Sequence, residues 1–277
     1  MAKERPFFLI AHRCNNKGDV EMALAKGANA FECDVRYGKK KEDWCVNHDA
    51  YRPKVSMSLC NWLKEVYQID DKGKICFLML DVKSTDYLDK LISYVHEHTD
   101  ELITERGKPI PVVYSIARLK TAKKLLPDKI ASITDWEGVS VDYGNDPTKV
   151  NKFFCEIQKK MYEEGRKEFG NFIYGDGINA GFADTEERRK RLKSAGTLRD
   201  TQQVIKKTYT WTIEKQSTAE RYLDIGVDGI LTNAGGGDVP RDRIKNIINA
   251  IKAHNKNHPD KKVRYATATD NVFEVFK

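Results

Sequence analysis

The sequence predicts an α/β fold, a (β/α)8 TIM barrel that occupies residues 1–277 as a single domain. Three observations predict it: eight apolar runs of strand length, amphipathic helical stretches between them, and polar residues gathered at the strand ends. Near-continuous apolar runs indicate parallel strands covered on both faces, and eight such units can close into a barrel. A chain of 277 residues is an ordinary length for such a barrel.

The predicted elements alternate along the chain. The strands are 6–12, 30–35, 74–83, 111–116, 138–143, 171–177, 207–213 and 228–233. The helices are 17–26, 57–69, 86–98, 149–164, 183–194, 217–225 and 239–254. Residues 262–277 form a C-terminal tail that we expect to pack on the barrel. A doubly wound open sheet is the main alternative, but no GxGxxG motif follows the first strand.

Composition limits the classes of function. Lys and Arg number 48 against 41 Asp and Glu, which gives a net charge of +7. Basic runs such as residues 188–191 indicate solvated helix faces or, alternatively, attraction to an anionic membrane or a phosphate-rich partner. Nucleic acid is not expected, because no aromatic residues interleave these runs. No segment is long and apolar enough to span a membrane, and the six cysteines show no CxxC spacing.

Acidic residues stand at the ends of two neighbouring strands. Glu32 and Asp34 are two apart on the second strand, so both point into the mouth of the barrel while Cys33 points toward the helices. Asp81 ends the third strand, and C-terminal strand ends form the active face of such barrels. Carboxylates held side by side repel unless a cation lies between them. The three acids therefore predict a Mg²⁺ site. The alternative is an ion-pair network of these acids with Lys83, Arg13 and Arg36.

Two histidines also follow apolar runs. His12 closes the first strand, and His48 lies in the segment WCVNHD. Phosphoryl transfer needs one group to accept a proton from the attacking hydroxyl and another to supply one to the leaving oxygen. Beside a carboxylate triad, the pair predicts phosphodiester chemistry, although the sequence leaves open which histidine is the acid. Lys83 either offsets charge on the phosphate oxygens or neutralises a carboxylate.

Other residues receive smaller roles. The remaining strands end in Ser115, Asp142, Asp176, Trp211 and Asn233. The histidines expected at exposed helix positions, without a function, are His96, His98, His254 and His258. Residues 235–237 form either a phosphate-binding loop or a flexible turn. The aromatic residues considered as membrane contacts or packing residues are Phe182, Tyr143 and Trp136.

Six segments carry a resemblance to a known family. They are AHR near the start, ANAFECDV, NHD, FLMLDVK, TYTWTIEKQSTAERYLDIGVDGILTN and the closing ATATDNVFEVFK. Together they resemble the sphingomyelinase D/phospholipase D toxin family, which has spider, bacterial and fungal members. That family is itself similar to the glycerophosphodiester phosphodiesterases.

The resemblance implies a Mg²⁺-dependent enzyme that acts on sphingomyelin or a lysophospholipid at a membrane surface. A hydroxyl of the same lipid would attack the phosphorus and give a cyclic phosphate. By position, the residues match the catalytic pair His12 and His48, the metal ligands Glu32, Asp34 and Asp81, and the substrate contacts Lys83, Trp211 and Asn233. The resemblance further implies a secreted monomer, with a cytoplasmic protein as the alternative.

Two other functions are possible for such a barrel. A glycerophosphodiester phosphodiesterase would hydrolyse its substrate, but that family carries an insertion after its second catalytic histidine, and the segment from His48 to Asp81 is too short for one. A non-catalytic lipid-binding barrel is disfavoured, because every candidate catalytic position holds a competent residue. The loop after His48 lacks the cysteines of spider members, so the disulfide pattern stays open. The head group and the lipid backbone stay open because the loops that would contact them, such as residues 180–182, lie in the part of the chain that resembles the family weakly.

Overall fold

The computed structural model describes residues 4–39, 42–48, 57–70, 73–166, 170–178, 184–234 and 242–276. Its strands are β1 (Arg5–His12), β2 (Ala30–Gly38), β3 (Asp43–Val46), β4 (Met57–Ser58), β5 (Phe77–Val82), β6 (Val112–Ile116), β7 (Glu137–Val141), β8 (Phe172–Gly177), β9 (Ile205–Trp211), β10 (Gly229–Asn233) and β11 (Val263–Tyr265). Eight of them run in parallel in the order β1-β10-β9-β8-β7-β6-β5-β2, and pairing of β1 with β2 closes the ring. The predicted (β/α)8 barrel is confirmed.

Eight helices surround the strands in the part of the chain that the structure describes. They are α1 (Lys17–Ala25), α2 (Leu59–Ile69), α3 (Leu88–Arg106), α4 (Leu119–Lys129), α5 (Pro147–Glu163), α6 (Glu186–Gln202), α7 (Gln216–Asp224) and α8 (Arg243–Asn257). Side-chain caps set several of their starts, as where Asp146 accepts from the backbone amides of Thr148 and Lys149. α4 was not predicted from the sequence, because Pro127 and four lysines interrupt its apolar pattern.

A small antiparallel extension was also missed. β3 pairs with β2, and β4 pairs with β3, so the segment that carries His48 follows an added strand and not a barrel strand. The Asn47 amide donates to the Asp34 carbonyl at 2.9 Å, and the Arg36 guanidinium donates to the His48 carbonyl at 2.7 Å. These bonds hold His48 against the mouth of the barrel.

Apolar side chains pack on both faces of the barrel sheet, as the alternation along each strand requires. Cys33 lies fully buried in the outer layer, between strands and helices, as predicted. The inner layer fills the barrel with Phe8, Ile10, Ala30, Phe77, Met79, Val113, Ile173, Tyr209 and Leu231. The barrel interior is therefore a packed core below the C-terminal ends of the strands.

The C-terminal tail closes the opposite end of the barrel. β11 pairs with the first residues of β1, and the following turn places Val272 and Phe273 against the inner core. A Cβ atom on Gly138 would lie 2.3 Å from Cε1 of Phe273, so the Phe273 ring needs a glycine at that position. The expected packing of the tail on the barrel is confirmed.

Replacing Phe273 with alanine is expected to lower the free energy of unfolding by about 3 kcal/mol, because it leaves a cavity under the barrel. Urea unfolding measures this loss. Phe276→Ala is the matched control, since Phe276 is only partly buried. Equal losses in both variants would mean that the tail does not close the barrel through Phe273.

The basic run at 188–191 is not simply a solvated face. Arg188 is 7% exposed, with its Nε 3.6 Å from Oδ1 of Asp176, and Arg191 donates to Oδ2 of Asp176 at 2.6 Å. Asp176 at the end of β8 is therefore neutralised by α6. Asp176 does not line the cavity at the C-terminal ends of the barrel strands.

The expectation that His254 is exposed is wrong. His254 is 4% exposed, and its Nδ1 lies 2.9 Å from Asp224, because α8 turns this face toward α7. The Nε2 atom of His96 lies 2.7 Å from Glu137. Trp136 immediately precedes β7, at the end of the barrel opposite the mouth, so it is not a membrane contact there.

The residues at 235–237 and Phe182 lie outside the described residues. Within the described ranges, no helix has the length and apolar character needed to cross a membrane.

Candidate active site

The C-terminal ends of the barrel strands enclose a cavity of about 400 Å³. The predicted residues that line it are His12, Glu32, His48, Asp81, Lys83 and Trp211. A larger cavity of about 530 Å³ lies beside the C-terminal tail, but its lining contains no histidine. The chemistry-bearing side chains therefore meet at the mouth that the strand-end pattern predicts.

Three carboxylates converge in this cavity. Asp34 and Asp81 are partners in the β2–β5 pairing, and their oxygens lie within 4.8 Å of one another and of Glu32. Burial, reinforced by Asp34 and Asp81, raises the pKa of Glu32 well above its usual value. Among the described residues, the buried Oε1 of Glu32 has no hydrogen-bond partner. This orphan oxygen and the mutual repulsion fit a bound divalent cation.

Lys83 lies between two of these acids. Its Nζ is 3.0 Å from Asp34 and also pairs closely with Asp81. Burial opposes ionisation of Asp34, but Lys83 and the side-chain amide of Asn15 lower the pKa of that carboxyl. An ion-pair network thus accounts for Asp34 and Asp81. It does not account for Glu32, which forms no salt bridge with Lys or Arg in the described part of the chain.

The turn after β1 positions the acids. The backbone amide of Arg13 donates to Oε2 of Glu32 at 2.7 Å, and Asn15 both donates to and accepts from Asp34 at 3.0 Å. Arg13 adopts a φ of 57°, an uncommon left-handed conformation for a residue other than glycine. The sequence predicted Arg13 only as an ion-pair partner of the acids and gave Asn15 no role, although they stand one and three residues after His12.

His12 is held in one tautomer. Its Nδ1 lies 2.6 Å from Oδ1 of Asn233, whose Nδ2 donates to Glu214 at 2.6 Å. Because that amide oxygen only accepts, Nδ1 of His12 carries the proton and Nε2 keeps its lone pair. Burial lowers the pKa of His12 to about 4, against the opposing effect of the bond to Asn233. His12 is therefore a neutral ring that can accept a proton.

His48 faces the same cavity from the antiparallel extension. Its Nε2 lies 2.6 Å from Nη2 of Arg13. A guanidinium only donates, so this nitrogen of His48 accepts in the arrangement seen here. Both predicted histidines thus reach one cavity, although they stand on different elements.

Two aromatic rings form one wall of the cavity. Trp211, at the end of β9, stacks on Tyr143 with ring centroids 6.1 Å apart and an interplanar angle of 30°. A Cβ atom on Gly177 would lie 2.4 Å from Cγ of Trp211, so only glycine permits this close approach. Tyr143 is 42% exposed and lies at the mouth. Such a wall can pack on apolar or cationic groups of a ligand.

A buried polar network forms the floor beside these rings. The Tyr209 hydroxyl donates to Oδ2 of Asp142 at 2.6 Å, and the Ser115 hydroxyl donates to the same oxygen at 3.1 Å. Burial, with Asp81 nearby, raises the pKa of Asp142 to about 6. The strand-end pattern had indicated Asp142 and Ser115. Tyr209 was missed, because it reads as an ordinary strand residue.

Comparisons with known proteins identify the family of the chain. The family model described as dermonecrotic toxin SPH matches residues 2–273. Dermonecrotic toxin LspiSicTox-betaIE1ii of Loxosceles spinulosa is 26% identical over 290 residues, which cover 98% of this chain and 100% of the toxin. Sphingomyelinase D of Trichophyton rubrum is 24% identical over 281 residues, which cover 98% of this chain and 82% of that protein.

Solved structures share the fold. A phosphodiesterase of Oleispira antarctica, in complex with the product sn-glycerol-3-phosphate, has a TM-score of 0.56 at 14% identity, covering 88% of this chain and 96% of that one. A glycerophosphodiester phosphodiesterase of Parabacteroides distasonis has a TM-score of 0.54 at 16% identity, covering 89% and 99%. With a family match over almost its full length, the chain belongs to the dermonecrotic toxin SPH family.

Proposed function

We propose that the protein is a Mg²⁺-dependent enzyme of the phospholipase D/sphingomyelinase D type, which removes the head group from a sphingolipid or a lysophospholipid. The observation that carries this proposal is the convergence of two histidines and three carboxylates in one cavity of a dermonecrotic toxin family member. Glu32, Asp34 and Asp81 would hold the cation, which supplies positive charge beside the phosphate oxygens.

The proposed reaction consumes no water. A hydroxyl of the lipid attacks the phosphorus, a new P–O bond closes a ring, and the bond from phosphorus to the head-group oxygen breaks. His12 accepts the hydroxyl proton at Nε2, which carries no proton because Nδ1 holds the ring proton and donates it to Asn233. His48 supplies a proton to the leaving oxygen, for which its Nε2 must first leave Arg13 and take up a proton. The products are a cyclic phosphate and the free head-group alcohol.

The remaining predicted residues fit supporting roles. Lys83, which pairs with Asp81 at the edge of the triad, would contact the phosphate oxygens. Trp211, which stacks on Tyr143, would pack against the head group or the lipid. Asn233 acts through His12 as a positioning residue. We further propose a monomeric, single-domain, secreted enzyme whose cavity mouth meets a lipid surface. The toxin names of its relatives support secretion.

Phosphorus NMR of reactions with choline and ethanolamine lipids tests the proposal. We expect a cyclic phosphate as the first product, from a sphingolipid, a lysophospholipid or both. A linear monoester as the first product would favour the glycerophosphodiester phosphodiesterase alternative, and no head-group release from any lipid would favour a non-catalytic barrel.

Replacing Asn233 with alanine is expected to lower kcat at least about tenfold with a smaller effect on KM, because His12 loses the acceptor that sets its tautomer. The pH profile of kcat should shift as well, since the bond to Asn233 raises the pKa of His12. Asn246→Ala is the control, because Asn246 donates to the Glu214 carbonyl without touching His12. Equal kcat values and pH profiles for both variants would contradict a positioning role.

A further inference from the structure

A second cluster of metal-ligating side chains lies away from the catalytic cavity. Its members are Asp224 at the end of α7, His254 in the last turn of α8, and His258 directly after that helix. Their ligand atoms all lie within 4.8 Å of one another. We propose that Asp224, His254 and His258 form a second metal site, which binds Zn²⁺ or a similar transition-metal ion.

The distances suit a tetrahedral ion. Oδ1 of Asp224 lies 2.9 Å from Nδ1 of His254 and 3.2 Å from Nε2 of His258. Zinc bonds of about 2.0–2.1 Å in a tetrahedron separate neighbouring ligand atoms by about 3.3 Å. Small side-chain shifts therefore suffice to seat an ion among the three atoms.

The tautomer of His254 points to the same conclusion. Its Nε2 lies 3.2 Å from the carbonyl oxygen of Lys261, which only accepts, so that nitrogen carries a proton. In a neutral ring the lone pair of Nδ1 then faces the carboxylate of Asp224, and the two atoms repel unless a proton or a cation lies between them. Metal-binding histidines commonly donate their other ring N–H to a carbonyl in this way.

Burial and charge favour a transition metal over Mg²⁺ or Ca²⁺. His254 is 4% exposed, whereas the side chains of Asp224 and His258 are 48% and 41% exposed, which leaves a path for the ion and room for a water ligand. Two imidazoles and one carboxylate suit zinc, copper or nickel. The adjacent cavity is lined by four basic and four acidic residues, so it has no net negative charge, and the attraction must come from coordination bonds. The basic residues are Arg5, Arg199, Lys261 and Lys262, and the acidic ones are Asp200, Asp224, Asp228 and Asp260.

The turn that carries the cluster is already ordered. The His258 amide donates to the His254 carbonyl at 2.8 Å, and the Lys261 amide donates to the His258 carbonyl at 3.1 Å. Asn255 exchanges two hydrogen bonds with the backbone of Val263 in β11, at 2.7 and 2.9 Å. A bound ion would therefore join α7 to the segment that leads into β11, and it would stabilise the folded state in proportion to its binding.

Calorimetric titration of the full chain with Zn²⁺, in excess Mg²⁺, tests the site. We expect one equivalent of tight Zn²⁺ binding and an affinity on the order of 100-fold lower in His258→Ala and in Asp224→Asn. Both altered side chains are half exposed, so the variants should keep the wild-type circular dichroism. Two control variants should bind Zn²⁺ as the wild type does. They are His98→Ala, which removes a histidine from α3, and Asp81→Asn, which alters the carboxylate triad.

Cobalt substitution identifies the ligands. We expect the visible bands of tetrahedral Co²⁺ without thiolate charge-transfer bands, and we expect these visible bands to disappear in His258→Ala. Thiolate bands would show that cysteines bind the ion, and loss of binding in Asp81→Asn would show that the carboxylate triad binds it. Unchanged Zn²⁺ affinity in His258→Ala and Asp224→Asn would mean that these side chains do not bind the ion and that Asp224 only pairs with His254. Each of these three results overturns the proposal.

Discussion

His12→Ala is expected to lower head-group release by about 10²–10⁴-fold, because the variant loses the group that accepts the proton of the attacking hydroxyl. His48→Ala should cause a loss of similar size. Since the two rings act in one proton-transfer sequence, the double variant should be little worse than either single variant. Initial rates of choline or ethanolamine release measure all three losses.

His98→Ala is the matched control for these variants, since His98 packs edge-on against Tyr94 of α3, away from the cavity. It should keep wild-type activity. Circular dichroism and urea unfolding should show that His12→Ala and His48→Ala remain folded. Wild-type rates in either folded variant would remove that histidine from the mechanism.

Glu32→Gln is expected to be more stable than the wild type without Mg²⁺ and less stable than the wild type with Mg²⁺. In a chelator at neutral pH, the variant should be more stable than the wild type. The pKa of Glu32 is higher in the folded state than in the unfolded state. The free energy of unfolding of the wild type therefore falls as the pH rises from the unfolded-state pKa through the folded-state pKa, and the glutamine variant avoids this loss. In Mg²⁺ the wild type should become the more stable protein, because the cation binds only the folded state.

Urea unfolding in EDTA and in Mg²⁺ measures this crossover. Glu21→Gln is the control: Glu21 is an exposed residue of α1 paired with Lys17, and its replacement should change little in either condition. Glu32→Gln should also abolish Mg²⁺-dependent activity. If the variant is less stable than the wild type in the chelator, Glu32 is part of a structural network and not a metal ligand.

The sequence predicted the barrel because each buried parallel strand is a recognisable apolar run. It also predicted the side of β2 on which Glu32 and Asp34 lie, since side chains alternate along a strand. It did not predict α4, where Pro127 and lysines weaken the helical pattern. The exposure of His254 was misjudged because the face of α8 that is buried depends on how α7 packs against it.

The contacts within the site were less predictable than its members. His12 meets Asn233 only because β1 and β10 pair in the closed barrel. His48 meets Arg13 only because β3 folds back on β2. Such partners are set by tertiary structure, and no local pattern encodes them. The tautomer of His12 and the orphan oxygen of Glu32 are consequently visible only in three dimensions.

Mass spectrometry of the lipid product formed in heavy-oxygen water tests most directly which group attacks the phosphorus. If the lipid's own hydroxyl attacks, the first product of the wild-type, Mg²⁺-supplied enzyme should be a cyclic phosphate that carries no heavy oxygen. A linear phosphate monoester that carries the label from the outset would show that water attacks the phosphorus, and it would contradict the cyclising mechanism.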